Sequence, residues 1–277
     1  MPGHDIIVIG ASSGGIEALT EVAARLPEDI PAALFVVVHV APRSVSVLPE
    51  ILNRTGPLTA AHARDNEKIK SGRIYVAPPD FHMLVANGAI RLVRGPKENN
   101  TRPAIDPTFR TAARNYGARV VGVILSGALD DGASGLRVIK ERGGLAVVQD
   151  PLDALFPDMP QNALAAVAVD HVLPMAEIAP LLDRLAREPV SATNGNVTEE
   201  LQKKPDIGAL DRLSRAPGER RARAPAGRAG EEQRAEEAYY RSLRREGAES
   251  AEQAETIKKL LLSGKLSEPV DKIEERE

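Results

Sequence analysis

The chain has 277 residues, a formal net charge of −3 and 43% hydrophobic residues, enough to bury a core in one or two domains. It holds no cysteine, which excludes disulfides, thiolate chemistry and cysteine-based metal sites, and no basic stripe interleaved with aromatics, which argues against nucleic acid as a partner. No apolar run approaches the ~18 residues of a membrane span, so a cytoplasmic protein without membrane insertion is expected.

The first element is a buried strand at Ile6–Ile9 that runs into Gly10-Ala11-Ser12-Ser13-Gly14-Gly15, followed by an amphipathic helix over Ile16–Leu26. Gly10 and Gly14 bracket Ser12 as G-x-S-x-G, the spacing of a turn that pushes a serine hydroxyl out above a sheet. The helix behind it aims unpaired N–H groups at the same spot. An oxyanion or a phosphate would be satisfied there, so the turn by itself does not choose between hydrolase and nucleotide binder. Ser12 is the lead nucleophile, and the bland alternative is a serine that caps the helix, a role Ser13 fits equally well.

A second strand, Leu34–His39, ends in a histidine, and a helix follows over Val47–Asn53. A third strand is expected at Ile74–Ala77. His82–Ala86 and Ala89–Arg94, joined by Asn87-Gly88, form a hairpin, placed as an antiparallel excursion on the sheet edge. A helix over Thr108–Tyr116 leads into the uniformly apolar strand Val120–Ser126. This strand runs into Gly127-Ala128-Leu129-Asp130-Asp131-Gly132 and a helix over Ala133–Arg142. Leu145–Gln149 is a further strand, Gln161–Val167 a further helix, and Val169–Leu173 a late edge strand. The alternation predicts an α/β, doubly wound, mostly parallel sheet with helices on both faces, a Rossmann-like three-layer architecture with an antiparallel edge hairpin.

After about Pro189 the composition changes to a stretch rich in both acidic and basic residues. The expected division is therefore a compact domain over 1–189 and a charged tail, disordered or partly helical, over 190–277.

Serine, histidine and aspartate at three strand ends form a hydrolytic constellation by position. His39 stands at the end of the second strand, beside Ser12 at the end of the first, and either Asp130 or Asp131 follows the strand Val120–Ser126. His4 and His62 read as surface residues and His171 as structural.

Taken together, Ile9-Gly-Ala-Ser12-Ser-Gly-Gly-Ile-Glu-Ala-Leu19, Val38-His39-Val-Ala-Pro42 and Tyr75-Val-Ala-Pro-Pro-Asp-Phe-His82-Met83 resemble the catalytic domain of chemotaxis protein-glutamate methylesterases of the CheB type. So do Arg102-Pro103-Ala-Ile-Asp106, Leu125-Ser-Gly-Ala-Leu-Asp-Asp131-Gly132, Asp153-Ala-Leu-Phe156 and Met159-Pro160. The resemblance covers about residues 4 to 187. It implies Ser12 as nucleophile, His39 as base and Asp131 as orienting acid, with Ser13 and His82 lining the site and Arg102, Asp106, Met159 and Pro160 nearby. The N–H groups of Ser13 and Gly14 would hold the oxyanion. Ala128 stands where the family often has methionine or threonine, and its N–H is a further candidate donor.

The implied reaction is hydrolysis of glutamate γ-methyl esters on the cytoplasmic helices of chemoreceptors, with deamidation of receptor glutamines in many members. No metal or organic cofactor is called for. Family members usually carry an N-terminal phospho-receiver domain. Here the first catalytic strand begins at Asp5, so a stand-alone domain is expected, not controlled by phosphorylation in cis, with a separate response-regulator protein as a candidate partner.

Two rival readings compete with this one. Gly10–Ile16 resembles the glycine-rich turn of short-chain dehydrogenases with one glycine shifted. That reading needs a Tyr-x-x-x-Lys pair, which none of Tyr75, Tyr116, Tyr239 and Tyr240 provides. A non-catalytic scaffold that kept the fold is the other, and the filled triad positions argue against it.

Overall fold

A computed structural model describes residues 3–40 and 46–190. The tail expected over 190–277 lies, apart from its first residue, outside the described residues.

Seven strands form one sheet: β1 (Ile6–Ala11), β2 (Ala33–Val38), β3 (Thr59–His62), β4 (Arg73–Val76), β7 (Val120–Ile124), β8 (Leu145–Gln149) and β9 (His171–Leu173). Their order across the sheet is β3-β4-β2-β1-β7-β8-β9, and every pairing is parallel. The central strands β1, β2 and β7 are buried along their whole length. That explains their near-continuous Ile/Val/Leu sequences, since a parallel sheet is covered on both faces and leaves no side to alternate toward water.

Among the described residues six helices cover the sheet: α1 (Gly15–Arg25), α2 (Leu48–Thr55), α3 (Ile105–Tyr116), α4 (Ala133–Glu141), α5 (Asp158–Ala166) and α6 (Met175–Arg187). They pack as two groups, α1 with α2 and α6, and α3 with α4 and α4 with α5, as double winding requires. The chain moves outward from β1 to one side through β2, then returns to the other side at β7. β1 is therefore the switch point at which the carboxyl ends of β2, β1 and β7 open to a ligand.

The remaining strands, β5 (His82–Ala86) and β6 (Ala89–Val93), form the expected antiparallel hairpin, but not on the sheet edge. They make a two-stranded sheet of their own. Met83, Val85 and Ile90 join Phe35, Tyr75 and Phe109 in one apolar cluster. The physical reason lies in α3. Thr108 Oγ1 donates to Met83 O at 2.6 Å, Thr111 Oγ1 accepts the Val85 N–H at 3.0 Å, and Asn115 Nδ2 donates to Val85 O at 3.2 Å. Helix side chains thus satisfy the β5 backbone in place of a neighbouring strand.

Two elements have no counterpart in the sequence expectation. The strand β3 is four residues long, lies at the sheet edge and holds Ala60 and Ala61, poor β-formers. Helix α6 contains Pro180, which removes one intrahelical donor. Its stripe of Ile178, Leu181, Leu182 and Leu185 is buried, and each such side chain contributes about 1.5–3 kcal/mol.

Candidate active site

The register of the central sheet brings the site together. Ala11 of β1 is paired with Val38 of β2, so the next residue on each strand is Ser12 and His39. Gly10 of β1 is paired with Ile124 of β7, and the Ser12 N–H still donates to Ser126 O at 3.0 Å beyond the strand ends. His39 Nδ1 lies 3.0 Å from Ser12 Oγ, and His39 Nε2 lies 2.7 Å from Asp131 Oδ2. With Asp131 ionised, Nε2 carries the proton and donates it, which leaves Nδ1 to accept from the serine hydroxyl.

Asp131 rather than Asp130 meets His39: Asp131 is 2% exposed, whereas the side chain of Asp130 faces solvent. Asp131 Oδ2 also accepts the Ile105 N–H at 2.7 Å, and Oδ1 accepts the Asp106 N–H at 3.3 Å and an Asn99 Nδ2 hydrogen. Ile105 and Asp106 open α3, so the carboxylate sits at a helix N-terminus, where backbone dipoles favour negative charge. Burial pushes the Asp131 carboxyl up, but the His39 hydrogen bond and charge, the Ile105 N–H and Asn99 outweigh it and hold it below the ordinary value.

The turn that carries Ser12 differs from the strained elbow suggested by G-x-S-x-G. Ser12 is not among the residues of positive φ; the left-handed residue is Gly14, at φ 70°. Gly10 allows a close approach, since a Cβ there would stand 2.5 Å from Ile105 Cγ2 at the start of α3. Behind the turn, Ser126 Oγ donates to Ser13 O and accepts the Phe156 N–H, both at 2.9 Å. Gln149 Oε1 accepts the Ser126 N–H at 2.9 Å, completing the support. Among the described residues, the Ser13, Gly14 and Ala128 N–H groups have no acceptor within the protein.

His82, expected to line the site, and Arg102 and Met159, expected nearby, are each engaged with the protein around the triad. His82 is 2% exposed and both its ring nitrogens are engaged, Nε2 with Pro96 O at 2.9 Å and Nδ1 with the Ala104 N–H at 3.2 Å. Burial lowers its pKa and keeps the ring neutral. Arg102 donates through Nε to Asp80 Oδ1 at 2.9 Å and through Nη1 to Gly95 O at 2.6 Å. Both therefore fasten the loop 95–104 that carries Asn99 to Asp131. Met159 is 1% exposed; its N–H donates to Gly127 O at 2.9 Å, and its side chain packs against Gly127, so it buttresses the loop.

Asn99 was missed by sequence reasoning. The only signal was the Asn99-Asn100 pair, a turn former, and both residues have positive φ. Leu129 was missed too: it takes φ 66° on the loop between Ser126 and Asp131 and is 46% exposed beside the site. Among the described residues no cluster of three or more His, Asp and Glu could hold a metal ion, and no helix is long and apolar enough to cross a membrane.

Fold and site together define an α/β protein with a hydrolase-type Ser–His–Asp constellation at the switch point of a doubly wound sheet. The model of the CheB methylesterase family matches residues 7–182, and the chain belongs to that family. A Leptospira interrogans protein is 43% identical over 183 residues, which cover 66% of this chain and 95% of that protein. The protein-glutamate methylesterase/protein-glutamine glutaminase 2 of Anaeromyxobacter dehalogenans is 40% identical over 183 residues, and there the chain spans about half the relative, 54%. The crystal structure of the Thermotoga maritima CheB methylesterase catalytic domain matches with a TM-score of 0.63 and 36% identity, over 65% of this chain and 98% of that one.

Proposed function

We propose that this chain hydrolyses glutamate γ-methyl esters on the cytoplasmic helices of chemoreceptors, using Ser12, His39 and Asp131. The observation that carries this reading is the single imidazole bridging Ser12 Oγ at 3.0 Å and Asp131 Oδ2 at 2.7 Å. The name of the Anaeromyxobacter relative supports protein glutamate methyl esters as the substrate class, and also supports deamidation of protein glutamines by the same site.

In the first step Ser12 Oγ attacks the ester carbonyl while its proton passes to His39 Nδ1. Asp131 holds the tautomer and stabilises the imidazolium. The Ser13 and Gly14 N–H groups, at the entry to α1, donate to the tetrahedral oxyanion, with the Ala128 N–H on the facing loop as a further donor. His39 then protonates the leaving methoxide, and methanol departs. Water attacks the glutamyl-serine ester with His39 again as base, and a free γ-carboxylate leaves. With glutamine the leaving group is ammonia and the other steps are the same. The catalytic unit in this reading is residues 1–189, acting at the cytoplasmic side of the membrane, with a separate response-regulator protein as a candidate partner.

The test is methanol release from methylated chemoreceptor membranes. The wild type should release it and Ser12→Ala should not; equal release by both would refute the reading.

A further inference from the structure

The Ser12–His39–Asp131 triad, on which the inference rests, leaves one buried carboxylate among the described residues unused. Asp106 is 3% exposed and stands in the first turn of α3. Its Oδ1 accepts the Gly135 N–H of α4 at 2.7 Å, and its Oδ2 accepts an Asn99 Nδ2 hydrogen at 3.3 Å. The same Asn99 amide donates to Asp131 Oδ1, which also takes the Asp106 N–H at 3.3 Å.

The two carboxylates are therefore crossed. Asp131, just before α4, accepts N–H groups from the start of α3. Asp106, at the start of α3, accepts an N–H from the first turn of α4. Asn99 spans both.

A helix-capping role alone does not account for this arrangement. A neutral asparagine or serine could accept the Gly135 N–H, whereas a second buried carboxylate beside Asp131 meets both desolvation and like-charge repulsion. The charged groups around it do not cancel that repulsion. Arg110 on its own helix stands 3.9 Å from Asp106 Oδ2 but is committed at 2.7 Å to Glu98 in the preceding loop. Asp131 lies on the β7–α4 side, with His39 of the β2 end beyond it, and His82 of β5 is near enough to feel the Asp131 charge.

We infer that Asp106, acting through Asn99, is a positioning residue of the reaction: it fixes the Asp131 carboxylate in the orientation that accepts the His39 Nε2 proton. Asp131 Oδ2 is held by His39 and Ile105, but its rotation is set at Oδ1, where both other donors belong to the Asp106–Asn99 pair. Without that pair the carboxylate can turn, and the imidazole loses its fixed partner. The Asp106 charge also adds to the field that favours the imidazolium. Burial and the Asp131 charge push the Asp106 carboxyl up to about 6, so this charge is present at neutral pH and is lost in mild acid.

The test compares wild type, Asp106→Asn and Asn99→Ala in two measurements. The first is the second-order rate of Ser12 phosphonylation by a fluorophosphonate, from about pH 5 to about pH 9. The second is the downfield 1H NMR signal of the His39 Nε2 proton. Asp106→Asn keeps an acceptor for Gly135, and Asn99→Ala leaves the Asp106–Gly135 bond intact, so loss of folding in one variant does not remove the test. Both variants should lose about 10- to 100-fold in rate, the penalty for a misplaced catalytic group. The proton signal should move or broaden in both. In Asp106→Asn the acidic limb of the rate profile should also shift to lower pH.

Wild-type rate, acidic limb and proton signal in both variants would overturn the inference. A wild type that resists phosphonylation would refute the triad reading instead, and the NMR signal would still report whether Asp106 positions Asp131.

Discussion

Ala11 and Val38 are register partners in the parallel pair β1–β2, and this pairing is what sets Ser12 beside His39. In-register residues of parallel strands point to the same face, so the next residue on each strand leaves the sheet side by side. The imidazole then needs only a carboxylate on its far side. Asp131 supplies it from the loop between β7 and α4, β7 being the neighbour of β1 on the opposite flank.

Replacing Asp131 by asparagine should lower kcat for methanol release about 10⁴-fold, because the amide can donate to His39 and so favours the wrong tautomer. The fold should survive, since the amide oxygen can still accept from the start of α3. A loss below about tenfold would mean that the imidazole is oriented by something other than Asp131.

Gly14→Ala should impair both stability and rate. A left-handed φ of 70° costs an alanine about 1–2 kcal/mol. The new Cβ would also stand 2.9 Å from Leu155 Cδ2 and from Ser126 Oγ, contacts tighter than real Cβ atoms show. If relief of that clash displaces the Gly14 N–H, kcat should fall about 10²-fold, the scale of losing one oxyanion donor. Thermal unfolding and methanol release on the same preparation check both parts.

The pH dependence of stability should separate Asp106 from its surroundings. Its folded carboxyl is pushed up to about 6, from the 3.8 of an ordinary aspartate. Between those values the folded chain holds a proton that the unfolded chain releases, so this group's contribution grows as pH falls and is lost as pH rises through about 6. Relative to Asp106→Asn, the wild type should therefore gain stability between about pH 7 and about pH 4, as measured by urea unfolding. A constant difference across that range would contradict the assignment.

His82→Leu should destabilise the chain by about 1–3 kcal/mol, the cost of leaving the Ala104 N–H and Pro96 O without their buried partner. Because His82 touches no reacting atom, KM should hold while kcat falls as the loop carrying Asn99 loosens. A raised KM with unchanged kcat would return His82 to the substrate side of the site.

Much of this site could be read before the fold was known, for a physical reason. Ser12 and His39 each close an apolar run, and the end of a buried parallel strand is where a side chain must emerge. Position in the chain left Asp130 and Asp131 both open, because burial is not visible in neighbouring residues of one type; the resemblance pointed to Asp131, the one that is buried. The hydrogen bonds and packing that engage His82, Arg102 and Met159 were not legible, because a motif carries residue types, not the direction in which a side chain points. Asn99 stayed hidden because its role depends on a loop folded back by His82 and Arg102. In the fold, β5 looked like an edge strand because its pairing through Thr108 and Thr111 of α3 comes from residues more than twenty positions away.

The most direct test of the account is mapping the fluorophosphonate adduct by mass spectrometry in wild type, Ser12→Ala and His39→Ala. The account predicts one adduct, on Ser12, absent from Ser12→Ala and strongly reduced in His39→Ala. An adduct on Ser13, or labelling of Ser12 that survives loss of His39 undiminished, would contradict it.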